Sequence, residues 1–179
     1  MMKNILLWVV LLLPYLGLLW VWKYHKNEIA KIDKATLIVI SKEEMTLALY
    51  DYKGKMLAEY PVAVGRNFGD KQIKGDMRTP EGVFTVSQIQ NSAHWTYNFG
   101  DGKGEIQGAY GPNFIRLLTP GHQGIGIHGT HDDNSIGTRS SEGCIRLNNK
   151  NLEELVKNVG VGNVVIITPS KQDLVAVSD

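Results

Sequence analysis

Residues 124 to 147 read GIGIHGTHDDNSIGTRSSEGCIRL, and this stretch carries the features that decide the fold. A short apolar segment, Gly124 to Ile127, runs directly into His128, and Cys144 follows sixteen positions later. The residues between them are rich in Gly, Asp, Asn and Ser, which are turn formers. We therefore expect the chain to double back and bring the two side chains together.

A cysteine beside a histidine has a direct use in catalysis. A free thiol, with a pKa near 8.5, is mostly protonated at neutral pH, and an imidazole within hydrogen-bond reach generates the nucleophilic thiolate. Gly143 has no Cβ, so the backbone can turn tightly there and a substrate carbonyl can approach the amides around Cys144, which could form an oxyanion hole. The alternative is a buried, inert cysteine, which composition alone favours.

Three segments together resemble the L,D-transpeptidase catalytic domain, also called the YkuD domain. The family signature is His-Gly-Thr, a gap of roughly fifteen residues, then Ser-x-Gly-Cys, an aliphatic residue and Arg. This chain has His128-Gly129-Thr130 and Ser141-Glu142-Gly143-Cys144-Ile145-Arg146. The upstream segment Arg78 to Phe84, RTPEGVF, is similar to the family's Thr-Pro-x-Gly stretch. The resemblance covers about residues 36 to 168.

The resemblance implies a mainly β, β-sandwich-like domain with one or two short helices and no cofactor. It also implies that Cys144 attacks the third stem residue of a peptidoglycan tetrapeptide and that D-Ala leaves. His128 would move the proton, and the Gly129 carbonyl would orient the imidazole. Further residues would shape the substrate pocket: Ser141, Gly143, Arg146, Tyr110 and Thr130.

The sequence leaves the acceptor and several alternatives open. A second stem as acceptor would give a 3-3 cross-link, a lipoprotein lysine would give a protein–wall link, and water would make the enzyme an L,D-carboxypeptidase. Arg146 could hold a substrate carboxylate or form a structural ion pair. Aromatic residues could line a substrate groove or stabilise their own loop, namely Trp95, Tyr97, Phe99 and Tyr110. A catalytically weak wall-binding module and a zinc hydrolase using His131, Asp132 and Asp133 are the rival functions.

Glu142 departs from the basic residue that the family often carries before Gly-Cys. A carboxylate close to the sulfur would raise the pKa of the thiol. We therefore expect Glu142 to turn away from Cys144 and to pair with Arg139 or Arg146.

Composition indicates one ordinary globular domain rather than a binder of polyanions. The 179 residues are 43% hydrophobic and carry a formal net charge of +1, which gives no long-range field to attract nucleic acid. A single cysteine excludes an intrachain disulfide.

The N-terminal segment predicts a membrane anchor over residues 1–24. Ile5 to Trp22 contains no charged residue, and aromatic residues cluster at its end, as at a membrane interface. A signal peptide is the alternative, although no small-x-small cleavage site follows closely. If the substrate is peptidoglycan, the catalytic domain lies outside the cytoplasmic membrane, on the periplasmic side.

Beyond the anchor, the pattern predicts a stalk over residues 25–35, a catalytic domain over 36–170 and a tail over 171–179. Seven strands are expected: Thr36 to Ile40, Met45 to Tyr50, Met56 to Val64, Gly82 to Ile89, Phe114 to Leu118, Gly124 to Ile127 and Val164 to Thr168. Leu152, Leu155 and Val159 fall at helical spacing, with a cap at Asn149 or Asn151. The long irregular stretches Gly65 to Pro80 and Asn91 to Pro112 are expected to be lids or binding loops.

Overall fold

The computed structural model describes residues 14–24, 36–100, 102 and 104–176. The chain divides into two compact units, Met1–Ala35 and Thr36–Asp179. In the first unit the described residues form a helix over 14–24, here α1, in which the rings of Trp20 and Tyr24 stack at 5.8 Å. No helix among the described residues has the length and hydropathy needed to cross a bilayer. The other half of the predicted anchor, and the stalk, lie outside the described residues, so the anchor stays a prediction.

The second unit is mainly β, as predicted. Its strands are β1 (Leu37–Ser41), β2 (Thr46–Tyr50), β3 (Met56–Pro61), β4 (Val64–Gly65), β5 (Gly82–Asn91), β6 (Thr96–Asn98), β7 (Glu105–Gln107), β8 (Asn113–Leu118), β9 (Gly126–His128), β10 (Arg139–Ser141), β11 (Ile145–Arg146) and β12 (Val164–Thr168). Eight of them form one sheet in the order β11-β9-β8-β5-β12-β1-β2-β3, and β10 with β4 and β6 with β7 form two small ladders.

The large sheet curls until its two edges meet. The chain leaving the edge strand β3 reaches Ala63, which exchanges two backbone hydrogen bonds of 2.9 Å with Arg146 on the opposite edge strand, β11. Curling encloses the side chains of one face in a single core that includes Ile115, Ile127 and Ile145, all fully buried. This closure fixes the short strand that follows Cys144 from both sides.

Two further helices complete the unit. Helix α2 (Asn149–Asn158) buries Leu152 and Leu155 in the core, and its N-cap is Asn148, whose side chain accepts a hydrogen bond from the Asn151 amide. The expected cap at Asn149 or Asn151 is therefore wrong by one to three residues. Helix α3 (Lys171–Val175) lies in the segment predicted as a tail, and a Ser170 capping box opens it. Residues 177–179 lie outside the described residues.

The strand predictions hold best where turns are local. The hairpin between β2 and β3 closes as expected, with the Asp51 carboxylate accepting hydrogen bonds from the Lys53 and Lys55 amides. The run Met56 to Val64 breaks after Pro61, because Val62 donates to the Met45 carbonyl and the chain then turns to the opposite sheet edge. Strands β6, β7, β10 and β11 were not expected, since each is only two or three residues long.

A buried ion cluster ties α3 to Lys42 after β1, Glu81 before β5 and Arg139 on β10. Fully buried Lys42 contacts the carboxylates of Glu81 at 2.5 Å and Asp173 at 3.1 Å. Asp173 also pairs with Arg139 at 2.8 Å and accepts hydrogen bonds from the Gly69 amide and from Ser170. Burial alone would raise the pKa of Asp173, but these hydrogen bonds and the Lys42 charge outweigh burial and hold its pKa below the usual range.

Removing one member of this ion cluster should lower the stability of the fold. We expect Asp173→Ala to lower the free energy of unfolding by about 3 kcal/mol, because buried cations lose a partner. The measurement is urea denaturation, with exposed Glu153→Ala on α2 as a control expected to change stability by less than about 0.5 kcal/mol. A loss below about 1 kcal/mol for Asp173→Ala would show that water replaces the carboxylate.

Candidate active site

His128 and Cys144 line the same cleft, His128 as the last residue of β9 and Cys144 directly before the neighbouring strand β11. Strands β9 and β11 run parallel, with Ile127 opposite Ile145 and His128 opposite Arg146. Because side chains alternate along a strand, burying the two isoleucines turns His128, Cys144 and Arg146 to the other face. All three line the same cleft of about 840 Å³.

The His128 ring is fixed in position and tautomer. Its Nδ1 is 2.6 Å from the Gly129 carbonyl oxygen, which can only accept, so Nδ1 carries the proton and Nε2 keeps a lone pair. The ring stacks on Phe114 at 5.4 Å and meets Tyr110 edge-on at 4.9 Å. Burial lowers the pKa of His128 to about 3, against a smaller opposing effect of the Gly129 hydrogen bond. The imidazole is therefore neutral at pH 7.

Close backbone packing holds the turn after His128. A Cβ at Gly129 would lie 2.8 Å from the Gly111 Cα and closer still to the Asn149 carboxamide oxygen. That oxygen accepts a hydrogen bond from the Thr130 amide, and the Gly129 amide donates to the Tyr110 carbonyl. The His-Gly-Thr pattern thus has a steric reason at its central position.

Hydrogen bonds from buried side chains hold the Cys144 loop in place. Ser141 is fully buried, and its hydroxyl donates to the Cys144 carbonyl and accepts from the Gly143 amide. Gly143 has φ +127°, and a Cβ there would meet the Arg78 carbonyl oxygen at 2.7 Å. Thr79 donates to the Gly143 carbonyl at 2.9 Å. The Arg78-Thr79-Pro80 segment therefore supports the cysteine loop directly.

A family model confirms the resemblance on which the sequence interpretation relied. The model for the YkuD L,D-transpeptidase catalytic domain matches residues 35–167, which is most of the chain. The chain belongs to the YkuD family of L,D-transpeptidase catalytic domains.

Similar proteins and structures agree with this membership. A provisionally named L,D-transpeptidase of Bacillus licheniformis, YkuD, is 33% identical over 74% of this chain and 65% of its own length. Another of Escherichia coli, YcfS, is 33% identical over 75% of this chain and 45% of its own length. The chain thus spans about two thirds or less of these relatives.

Among solved structures, the helical cell shape determining protein Pgp2 of Campylobacter jejuni gives a TM-score of 0.57 at 26% identity, covering 79% of this chain and 52% of that one. The Enterococcus faecium L,D-transpeptidase catalytic domain gives a TM-score of 0.55 at 23% identity, covering 75% of this chain and 98% of that one. The second likeness shows the fold alone.

In this L,D-transpeptidase domain the thiol of Cys144 rests as a neutral group. The thiol donates to the Gly124 carbonyl, which accepts from Sγ at 3.3 Å. Burial raises the pKa of Cys144, and the Gly126 amide and nearby cations offset only part of that effect. The resting pair is therefore a thiol and a neutral imidazole.

This resting state predicts a pH profile. We expect the rate of Cys144 alkylation by iodoacetamide to rise continuously between pH 5 and pH 9, because the raised thiol pKa leaves little thiolate at neutral pH. A thiolate–imidazolium pair would instead give a plateau starting near pH 5. Stopped-flow alkylation across this range measures the difference, and such a plateau would contradict the neutral pair.

The predicted substrate residues fall into two groups. Arg146 and Tyr110 line the cleft, and the Arg146 guanidinium lies 5.4 Å from the Phe99 ring centroid. No carboxylate of the described residues forms an ion pair with Arg146, so the structural ion pair considered for it is not observed there. Thr130 lies outside the cleft lining, because its hydroxyl is engaged with the backbone of Asp132.

The predicted pairing of Glu142 with an arginine is wrong. The Glu142 carboxylate accepts a 2.5 Å hydrogen bond from the Tyr97 hydroxyl, and Arg139 is engaged by Asp173. The hydrogen bond to Glu142 raises the pKa of Tyr97 to about 12, with burial adding to the shift. Tyr97 is on β6, so Glu142 fastens the β6–β7 hairpin over the cysteine. Tyr97 and Glu142 are 45 residues apart in the sequence, so no local pattern could predict this contact.

Both long irregular stretches line the cleft, as expected of binding loops. The first contributes Lys71, Lys74, Gly75 and Met77, and the second contributes Trp95, Tyr97, Phe99, Ala109 and Tyr110. His122 also lines the cleft, whereas His94 is exposed outside it. Arg116 also lines the cleft and could not be recognised from the sequence, because a lone arginine in an apolar strand belongs to no motif.

The rival zinc site finds no support in the geometry. His131 is exposed and its ring packs 5.2 Å from the Phe99 ring. Within the described part of the chain, no three His, Cys, Asp or Glu side chains are grouped as metal ligands.

Proposed function

We propose that this domain transfers a peptidoglycan stem peptide from a tetrapeptide donor to an amine through a thioester on Cys144. One observation carries the proposal: Cys144, directly before β11, and a neutral His128 at the end of the adjacent strand β9, its ring held by Gly129, line a single cleft. Membership of the L,D-transpeptidase family supports the same chemistry.

Acylation proceeds by proton transfer from the Cys144 thiol to His128 Nε2 as the sulfur attacks the donor carbonyl. The carbon–nitrogen bond to D-Ala then breaks, and the imidazolium returns the proton to the departing amine. Because Nδ1 is committed to the Gly129 carbonyl, Nε2 is the nitrogen that exchanges this proton. The Gly143 amide already donates to Ser141, which leaves the Cys144 amide as the candidate oxyanion donor.

Deacylation uses the same groups in reverse. An acceptor amine attacks the thioester carbonyl, the carbon–sulfur bond breaks, and the amine proton returns through His128 to the sulfur. A side-chain amine of a second stem gives a 3-3 cross-link, and a lipoprotein lysine gives a protein–wall link. Water in the same position would give an L,D-carboxypeptidase.

The aromatic wall around the cleft suits an extended donor better than a small one. Tyr97, Phe99 and Trp95 project from the hairpin that Glu142 fastens, and Arg146 offers a guanidinium for a carboxylate of the stem. The wall-binding alternative would use this surface without turnover. A binding module would not need the Cys144 and His128 pair that lies beneath it.

We also propose that the domain works outside the cytoplasmic membrane, where its substrate lies, held by residues 1–24. Protease accessibility in spheroplasts tests this placement. Full protection of the domain would contradict it.

Muropeptide analysis of cell wall from a strain that overproduces the protein tests the function. The cross-link proposal expects new 3-3 dimers, whereas tripeptides indicate a carboxypeptidase and lipoprotein-bound fragments indicate a protein acceptor. The control strain overproduces Cys144→Ala. An identical muropeptide profile in both strains would contradict the proposed acyl transfer and leave wall binding as the function.

A further inference from the structure

Two rows of side chains cross the cleft face of the sheet. Phe114 on β8 is opposite His128 on β9, and His128 is opposite Arg146 on β11. The next row begins with Arg116, which is opposite Gly126, and the parallel register places Cys144 on the far side of Gly126. The core isoleucines at positions 115, 127 and 145 confirm that both rows face away from the core.

Gly126 lies between Arg116 and Cys144, and the ring of Phe114 packs over it on the cleft face. A Cβ at Gly126 would collide with the Phe114 ring, so packing excludes any larger residue there. Neighbouring strands are about 4.8 Å apart, which puts the Arg116 and Cys144 backbones about 10 Å apart. A substrate group bound at the sulfur therefore lies within the range of the long Arg116 side chain.

The Arg116 guanidinium is held in place by a hydrogen bond, but no carboxylate of the described residues pairs with its charge. Its Nε donates to the Gln90 carboxamide oxygen at 3.1 Å, and its Cζ lies 5.0 Å from the Phe114 ring centroid. Among the described residues, its η nitrogens have no hydrogen-bond acceptor and no carboxylate forms an ion pair with it. A guanidinium held at one edge presents its other edge for bidentate binding of a carboxylate.

The charge around the cleft favours an anionic ligand. Its lining includes four cationic side chains, Lys71, Lys74, Arg116 and Arg146, and one carboxylate, Glu142. Asp76 pairs with Lys71, and Tyr97 donates to Glu142. Because the whole chain has a formal net charge of only +1, this excess of positive charge is local to the cleft.

We propose that Arg116 is a second carboxylate-binding residue, which with Arg146 selects donors that carry an acidic group on each side of the scissile carbonyl. The inference rests on the proposed function for the identity of the donor. A tetrapeptide stem ending in diaminopimelate and D-Ala has this arrangement, with one carboxylate on the acyl part and another on the leaving part. Amidation of either carboxylate should weaken the donor.

The first experiment needs no turnover and compares alkylation of Cys144 by iodoacetate and by iodoacetamide. We expect Arg116→Gln to lower the ratio of the two rate constants about three- to tenfold, because only iodoacetate carries a carboxylate. Taking the ratio cancels any change in the thiol pKa that affects both reagents. Arg116→Lys should keep most of the preference, and Arg66→Gln, which removes an exposed cation outside the cleft lining, should keep all of it.

The second experiment measures kcat/KM with four donors, in which the diaminopimelate and D-Ala carboxylates are free or amidated. Arg116→Gln should cost roughly tenfold or more on the doubly acidic donor and much less once the carboxylate it binds is amidated. Wild-type enzyme that turns over no donor but shows the alkylation preference would contradict the proposed function and leave the anion site standing. An unchanged alkylation ratio, or an equal loss on all four donors, would overturn the role of Arg116.

Discussion

Replacing Cys144 with alanine is expected to abolish every acyl-transfer product, with a loss of roughly 10⁴-fold or more. The chain contains one cysteine, and no other side chain at the cleft floor can form a thioester. The measurement is product formation from a tetrapeptide donor, followed by mass spectrometry. Hydrolysis or transfer that persists in Cys144→Ala would show that the sulfur is not the nucleophile.

The fold of Cys144→Ala should remain intact, since Cys144 is only half-buried and the Ser141 and Thr79 hydrogen bonds in its loop use backbone groups. A melting temperature within about two degrees of wild type is expected for a change of a few tenths of a kcal/mol. This control separates lost chemistry from lost structure.

Replacing His128 with alanine is expected to lower the acylation rate by about two to four orders of magnitude, the usual contribution of a positioned general base. The ring is buried against Phe114 and Tyr110, so the alanine variant also leaves a cavity. His128→Gln fills most of that cavity without restoring a base, and it should show the same kinetic loss with better stability.

The matched control is His131→Ala. His131 is three residues further along, is exposed and lies outside the cleft lining. The acylation rate of His131→Ala should therefore differ from that of wild type by less than about threefold. If His128→Gln loses less than tenfold, another group activates the thiol.

The sequence predicted the parts of the fold that depend on local patterns. Continuous β-branched runs, such as Val164 to Thr168, became strands with the expected bounds, and the turn at Asp51 followed from its Asp and Gly residues. Strands β10 and β11 could not be predicted, because they exist only through pairing with distant segments. Ala63 and Arg146, for instance, are neighbours only because the sheet curls.

The same contrast between local sequence patterns and tertiary contacts applies to the residues of the site. His128 and Cys144 could be named from their chemistry and spacing, whereas the role of Gly129 was implied by the resemblance to the family. The partner of Glu142 is Tyr97, and the residue that braces Gly129 is Asn149, and both contacts depend on tertiary packing. Arg116 could be recognised only from the sheet register, and the protonation state of the Cys144 thiol only from its burial.

The most direct test of the central claim is the intact mass of the wild-type protein mixed with a tetrapeptide donor and quenched in acid before any acceptor is added. We predict a mass increase equal to the donor minus D-Ala, lost on treatment with hydroxylamine and located on the peptide that contains Cys144. Donor turnover with no adduct, or an adduct on any other residue, would contradict acyl transfer through Cys144.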